Sequence, residues 1–501
     1  VSHLLLTPIL LPALTAVLLV FMARSSLKVT RVISLASALV VLAVSLYFVA
    51  QSAAGGIEVY ALGNWLPPFG IIIIADRLSS LMLLVNAVLV VSSIAFTFSW
   101  KAERNDSLQP LIHFLAMGVN GAFLTGDLFN LFVFFEVMLI ASYALAIFGG
   151  GKERAKAGLH YVILNLVGSS FFIIGLGIVY GLLGTMNMAD LAAKVAELPP
   201  EHAPLLAAAA LVLLLVFGLK SAILPLYFWL PRAYAAAIAP VAALFAIMTK
   251  VGVYSIVRVH GMIFNQAPIA DLLAPWLWPI AILTIAAGSI GVLGVKRVRS
   301  QIAYTVVISV GTMIAGIAMN TAEALQATFY YLIHSTWITA VLFLLTEVIA
   351  QQRGSMADSI VRGPQIRQHS LLASYFFVAA IAVVGMPPLS GFFGKILLLK
   401  ATPAGPAQVW LWSVILVGSL ATIVALGRTG STLFWRVTEY KDSKPKVARS
   451  SWWSMNSLMA LTIALVVFAQ PVLTYLGDMS AQLINPTQYF HAVLSTEVVS
   501  K

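Results

Sequence analysis

The chain has 501 residues, of which 61% are hydrophobic and only 9% charged, and its mean hydropathy is +0.98. No soluble core of this size needs so much apolar side chain, so a water-soluble globular protein is excluded. The absence of cysteine removes disulfides, thiolate-held iron–sulfur clusters and cysteine nucleophiles together. Redox chemistry then belongs to a partner, and no cofactor or metal is expected in the chain itself. The net charge of +11 raises the question of nucleic acid, but the basic residues are scattered through short loops between apolar runs, which excludes a nucleic-acid face and points to membrane topology.

Apolar runs long enough to cross a bilayer lie at approximately 4–23, 32–50, 78–100, 109–126, 129–149, 159–183, 205–230, 236–261, 272–294, 301–320, 325–349, 370–399, 408–430 and 452–476, predicting 14 spans. The first has no basic n-region and no clear cleavage site, so it reads as a retained span rather than a signal peptide. Between the fourth and fifth only Gly126, Asp127 and Asn130 punctuate the run, the weakest boundary in the chain. Basic residues test the count independently. Of the 29 Lys and Arg, 21 fall in odd-numbered connections (Lys101, Arg104, Lys152, Lys156, Lys441, Lys444 and Lys446 among them), 5 fall on the opposite side, and 3 lie within spans. A miscounted span scrambles that alternation, so the positive-inside rule predicts both termini on the outer side of the membrane.

Several polar groups fall at membrane depth. Glu136 sits seven residues inside its run, in LFNLFVFFEVMLIASY. A lone carboxylate there is driven neutral, whereas a nearby lysine keeps it ionised; the expected partner is Lys220, and the alternative is a structural carboxyl bonded to a carbonyl or Tyr. Lys220 lies in GLKSAILPLYFWLPR, an apolar run broken by Pro225 and Pro231. Proline in a spanning helix is tolerated only where the freed carbonyls meet protein or water, so this helix is predicted to be discontinuous and to face the protein interior. An ammonium at such a break costs about 3 kcal/mol on insertion scales and is kept where ions or protons pass; the alternative, snorkelling to an interface, fits its mid-run position less well. Lys250, Tyr254 and Arg258 follow at four-residue steps and share a helix face. Lys250 reads as part of an internal polar stripe and Arg258 as an interfacial anchor. His334, in FYYLIHSTWITAVLFLL, is either a relay group or a hydrogen-bonded packing residue. The second break, AVVGMPPLSGFFGKILLLK, carries Pro387 and Pro388 ahead of Lys395. Each lysine, 220 and 395, lies in the fourth helix of a five-helix set when the sets are spans 4–8 and 9–13. An odd number of spans per set makes the sets run oppositely through the membrane, an inverted repeat whose paired broken helices point to a transport site.

The words KSAILPLYFWLPRAY, IAPVAALFAIMTKVGVY, GDLFNLFVFFE and GMPPLSGFFGK, with ADRLSSLMLL near Asp76, resemble the proton-translocating antiporter-like family. That family includes the large membrane-arm subunits of respiratory complex I, related hydrogenase subunits, and the A and D subunits of Mrp-type multisubunit cation/proton antiporters. The resemblance runs from Asp76 to Phe434 and is nearest to the Mrp D subunits, on MTKVGVYSIVR, HSTWITAVLFLLTE and SGFFGK. It implies an all-α polytopic membrane protein of about 14 helices, discontinuous in the seventh and twelfth, with a polar axis along the membrane midplane. It further implies proton-transfer roles for Glu136, Lys220, Lys250, His334 and Lys395, with Asp127 and Tyr254 in support. Two positions depart from the family pattern: Ile338 stands where many relatives have lysine, and Ser309 where they have His or Gln, so water or His334 must bridge Lys250 to Lys395. The chain stops soon after the fourteenth span without the long lateral helix of one complex I subunit, which favours the Mrp type.

The expected organisation is an N-terminal group of three helices (1–107), a first repeat (108–262), a second inverted repeat (263–431) and a loop, last helix and tail (432–501). The expected function is a subunit of an Na+(K+)/H+ antiporter in the bacterial inner membrane. Its expected partners are the other subunits, H+, Na+ or K+ and the lipid bilayer, with no nucleic acid. Two other readings stay open: a proton-pumping arm of a complex I-like or hydrogenase-type redox complex, and a structural scaffold without ion throughput.

Overall fold

The computed structural model describes residues 3–99, 107–438 and 446–496. Lys101, Arg104, Lys441, Lys444 and Lys501, all counted in the charge alternation, lie outside the described residues. Among those described, 12 helices are long and apolar enough to cross a membrane. Two shorter apolar helices, Leu108–Leu124 and His369–Val384, stand where the fourth and twelfth spans were predicted.

Local chemistry fixes where helices begin. Asp76 starts Arg77–Thr97 with a capping box, its carboxylate accepting from Ser79 N while the Ser79 hydroxyl accepts from Asp76 N. Asp127 accepts from Asn130 N at 2.7 Å and opens Leu128–Ala146. Residues 125–127 therefore form a real boundary between the fourth and fifth helices. Asn187 and Thr321 cap Met188–Ala196 and Ala322–Arg353 in the same way, each satisfying an N–H that the helix leaves unpaired.

Four spanning segments, Arg77–Thr97, Ala239–His260, Val298–Met319 and Ala322–Met356, are enclosed by the rest, while the others leave half or more of their residues facing outward. The outward residues are apolar, for example Leu14, Leu159, Ile290 and Val417. A helix bundle with an apolar outside and polar groups inside is the inverse of a soluble protein and is built for hydrocarbon.

Four features were not anticipated. Glu58–Ala61 pairs antiparallel with Ile72–Ala75, with Glu58 opposite Ala75 and Ala61 opposite Ile72; the isoleucine run at 71–74 suits a buried strand. The segment expected as one span at 236–261 is assembled from Ala239–Phe245, Met248–Ser255 and a π-helical turn, Ile256–His260. The last predicted span ends early: Arg449–Val467 gives way to a second helix, Ala469–Ile484. Pro471 accounts for that break, since it has no N–H to offer the preceding turn. Finally, Thr487–Leu494 folds back so that Tyr489 is buried.

Candidate functional site

Both predicted discontinuities are present, and both end their first half in the same way. Ala203–Ser221 stops at Ala222, which is left-handed (φ 62°), and Ile223 N donates back to Gly218 O. His369–Val384 stops at Gly385 (φ 85°), and Met386 N donates back to Ile381 O. These are Schellman-type ends, in which the chain turns back to cover its own last carbonyls. At the first break side chains meet two further backbone groups: Trp229 Nε1 donates to Leu219 O at 3.0 Å, and Leu224 N donates to Thr284 Oγ1 at 3.0 Å. The chain resumes as Trp229–Ala236 in the first case and Ser390–Ala401 in the second.

Lys220 is buried two residues before the first Schellman end. The expected direct contact with Glu136 is not made. Between them stands the helix Lys152–Leu183, which offers two polar side chains one turn apart. Lys220 Nζ donates to Asn165 Oδ1 at 3.1 Å, and Ser169 Oγ donates to Glu136 Oε1 at 2.5 Å and lies 3.1 Å from Asn165 O. Carboxylate and ammonium are thus each held by a side chain of the same helix, Ser169 and Asn165, one turn apart; the single Ser169 proton serves either Glu136 or Asn165 O. Gly168 permits the approach, because a Cβ there would meet Leu219 Cδ2 at 2.6 Å.

Lys395 follows the second break by ten residues, whereas Lys220 precedes the first, so the two lysines match by helix and not by position. Lys220 is in the last turn of its half-helix, and Lys395 Nζ, from the half-helix after the second break, reaches back to Val384 O, the last residue of the half-helix before it, at 2.7 Å, and to Ser419 Oγ at 2.8 Å. The Lys395 ammonium is thus set against the negative end of a helix, where the aligned peptide dipoles favour it, whereas Lys220 sends its Nζ to Asn165 of the neighbouring helix. His334 reaches the same break: its Nδ1 is 2.7 Å from Ser390 Oγ, and a Cβ on Gly391 would stand 2.7 Å from His334 Nε2.

Lys250 is fully buried, and among the described residues its Nζ has no hydrogen-bond partner. Its helix lies against the Lys220 helix through Gly252, whose Cβ position is 2.4 Å from Ser221 Oγ and 2.9 Å from Phe217 O.

Arg258 corrects the sequence reading. It is no interfacial anchor: it is buried and makes a bidentate pair with Asp76, both N–O distances being 2.7 Å. Its Nε donates to the Tyr254 hydroxyl, which donates to Phe123 O, and the guanidinium lies 5.1 Å from the Tyr489 ring centroid. Tyr254 is therefore occupied with this pair and not with Lys250. Asp127 is likewise a helix cap away from the lysines, where burial raises its carboxyl to about 6 against opposing backbone hydrogen bonds. Asn165 and Ser169 went unread in the sequence although they share a face, four residues apart, in an apolar helix.

The fold defines a polytopic membrane protein with two discontinuous helices, each associated with a buried lysine. The chain belongs to the NADH:quinone oxidoreductase/Mrp antiporter transmembrane family, whose model matches residues 125–424. It is 36% identical to the D subunit of a probable K(+)/H(+) antiporter of Rhizobium meliloti (strain 1021), over 99% of this chain and 98% of that protein. It is also 36% identical to the D subunit of the Na(+)/H(+) antiporter of Bacillus subtilis (strain 168), over 98% of this chain and 99% of that one. Among solved structures, a chain of the Mrp complex from Dietzia sp. DQ12-45-1b superposes with a TM-score of 0.86 at 28% identity, covering 99% of this chain and 100% of that chain.

Proposed function

We propose that this chain is the D-type membrane subunit of an Mrp-type cation/proton antiporter in a bacterial inner membrane, a transporter subunit rather than an enzyme. In this reading protons move along an axis from the half-buried Glu136 through the buried Lys220 and Lys250 to His334 and Lys395. The observation that carries it is the set of three lysines buried in an apolar bundle, two of them in the broken helices. Such groups are costly in a membrane and are kept where ions or protons pass. The relatives' names support antiport and differ in the cation, one naming potassium and the other sodium.

Each group has a task. Asn165 accepts from the Lys220 ammonium and Ser169 donates to Glu136, so a small movement of helix Lys152–Leu183 changes how strongly the carboxylate is felt at the amine. That is the switch. Water links Lys250 to His334, since Ile338 and Ser309 offer no ionisable group between them. The two shorter apolar helices complete 14 spans, the segments 108–262 and 263–431 form the inverted repeats, and both termini face outward.

The test is cation-dependent proton flux in proteoliposomes of the intact complex. Lys220→Ala and Lys220→Arg should both abolish exchange with the complex assembled, because Arg keeps the charge and cannot deprotonate. Wild-type exchange by an assembled Lys220→Arg complex refutes the relay. Exchange lost in Lys220→Ala and retained in Lys220→Arg would make the residue a fixed counter-charge.

A further inference from the structure

A cleft of about 880 Å³ opens beside the start of helix Lys152–Leu183, walled by the segment after the first helix break and by the connection before Val298–Met319. None of the groups assigned to the proton axis lines it. Its upper wall is strongly basic: Lys152, Lys156, Arg232 and Arg297 are exposed, and Glu153 is the one acidic lining residue. Arg297 is held by Asp358 at 2.7 Å, and the two deeper arginines are structural, Arg299 bonding Glu347 and Arg154 donating to Ala236 O and Gly150 O. Among the described residues, Lys152, Lys156 and Arg232 have no acidic side chain within 4.0 Å. The positive field of the cleft is therefore not spent internally.

The lower wall is of the opposite kind. Leu159 is 62% and Ile163 52% exposed, four residues apart on one outward face, and Pro231 and Tyr304 also line the cleft. The sequence of the helix changes character at the same place: KERAKAG over its first two turns, then LHYVILNLV. The cleft thus straddles the level at which this helix passes from water into hydrocarbon.

We propose that this cleft binds an anionic phospholipid of the leaflet that the basic loops face, with its phosphate between Lys152, Lys156 and Arg232 and its acyl chains along Leu159 and Ile163. Charge and apolar surface stacked at one depth fit an amphiphile better than a soluble anion, which would leave the apolar wall unused. A zwitterionic lipid would leave the excess positive charge unmatched. Basic pockets between spanning helices recognise lipid headgroups by this physics. The proposal is independent of the proton axis and holds whichever ion the assembly carries.

The test is native mass spectrometry of the intact multisubunit assembly equilibrated with dioleoyl-phosphatidylglycerol and dioleoyl-phosphatidylcholine in equal amounts. Phosphatidylglycerol should be retained selectively, inorganic phosphate at millimolar concentration should not displace it, and the variant K152A/K156A/R232A should bind it more weakly by a factor on the order of one hundred. A second variant, L159S/I163S, should weaken lipid retention while leaving the basic wall intact. Equal retention of the two lipids by the wild type, displacement by phosphate alone, or unchanged binding by both variants would overturn the proposal. So would zero-length cross-linking of Lys152 or Lys156 to a carboxylate of a neighbouring subunit with no lipid retained, which would assign the cleft to a protein partner.

Discussion

At the scale of single residues, Glu136 and Lys220 meet through neighbouring groups on one helix, Ser169 and Asn165, and the energetics of that link differ from those of a direct ion pair. Groups in one hydrogen-bond network couple by about 0.5–3 kcal/mol even without touching. Glu136→Ala and Lys220→Ala should therefore be non-additive in assembly yield, and that coupling should shrink towards zero in an Asn165→Leu background. Persistence of the full coupling without Asn165 would mean that the charges communicate directly. Asn165→Leu alone should lower proton flux while costing about 1–3 kcal/mol of stability for the donor left without its acceptor, measured as a shift in the thermal midpoint of the purified complex. The sequence exposed the charged members of this network because a charge in an apolar run stands out. Asn165 and Ser169 carry no such signal, since short neutral polar side chains occur throughout spanning helices and bond their own backbone, as Asn165 does to Tyr161 O at 2.8 Å. Only their four-residue spacing, the criterion applied to Lys250 and Tyr254, would have marked them.

Between elements, the breaks were legible because proline leaves few alternatives in hydrocarbon. The site of the turn was not: both half-helices end before their prolines, at Ala222 and Gly385, where the backbone becomes left-handed. The Lys250 helix is tied to the first break by close packing at Gly252. Gly252→Ala would drive a methyl into Ser221 and Phe217 backbone atoms, which cannot swing aside as a side-chain tip does. It should destabilise the protein by about 1–3 kcal/mol and slow exchange by moving Lys250 away from Lys220; retention of both stability and rate would show that the two helices have slack. The Asp76–Arg258 pair locks a different set of elements, joining the start of Arg77–Thr97 to the end of Ala239–His260 and, through Tyr489, to the C-terminal helix. Breaking such a buried pair costs about 3–5 kcal/mol because the surviving charge is orphaned, whereas removing both ends is far milder. Asp76→Ala should thus abolish assembly, and Asp76→Leu with Arg258→Met should restore part of it, as read by recovery of the chain on affinity purification. Arg258 was misread because it lies one turn from a span end, where arginines usually meet water, and its partner is 182 residues away in sequence.

For the whole molecule, the arrangement of charge about the bundle makes a directional statement. The connections that carry Lys152, Lys156, Arg232, Arg297 and Arg299 gather on one side around the basic cleft, and Asp190, Lys194 and Glu201 lie in the connection that follows Lys152–Leu183, between those of Lys156 and Arg232. Translocation resists positive charge, so the first group should be cytoplasmic and the second external. The chain contains no cysteine, so single cysteines can be introduced without removing any native thiol and probed with a membrane-impermeant maleimide in intact cells and in inverted vesicles. Cysteines at 156 and 446 should label only in inverted vesicles, and those at 194 and 201 only in intact cells. This pattern tests more than orientation. Residues 156 and 194 are separated by the one helix Lys152–Leu183, so opposite labelling requires that it cross. Residues 201 and 446 are separated by both breaks and by the shorter helix His369–Val384. If that helix together with Ser390–Ala401 crosses once, an odd number of crossings lies between them and they label oppositely. Labelling of 201 and 446 from the same side would leave the second discontinuous helix re-entrant, and would undo the inverted relation between the two halves on which the proposed axis depends.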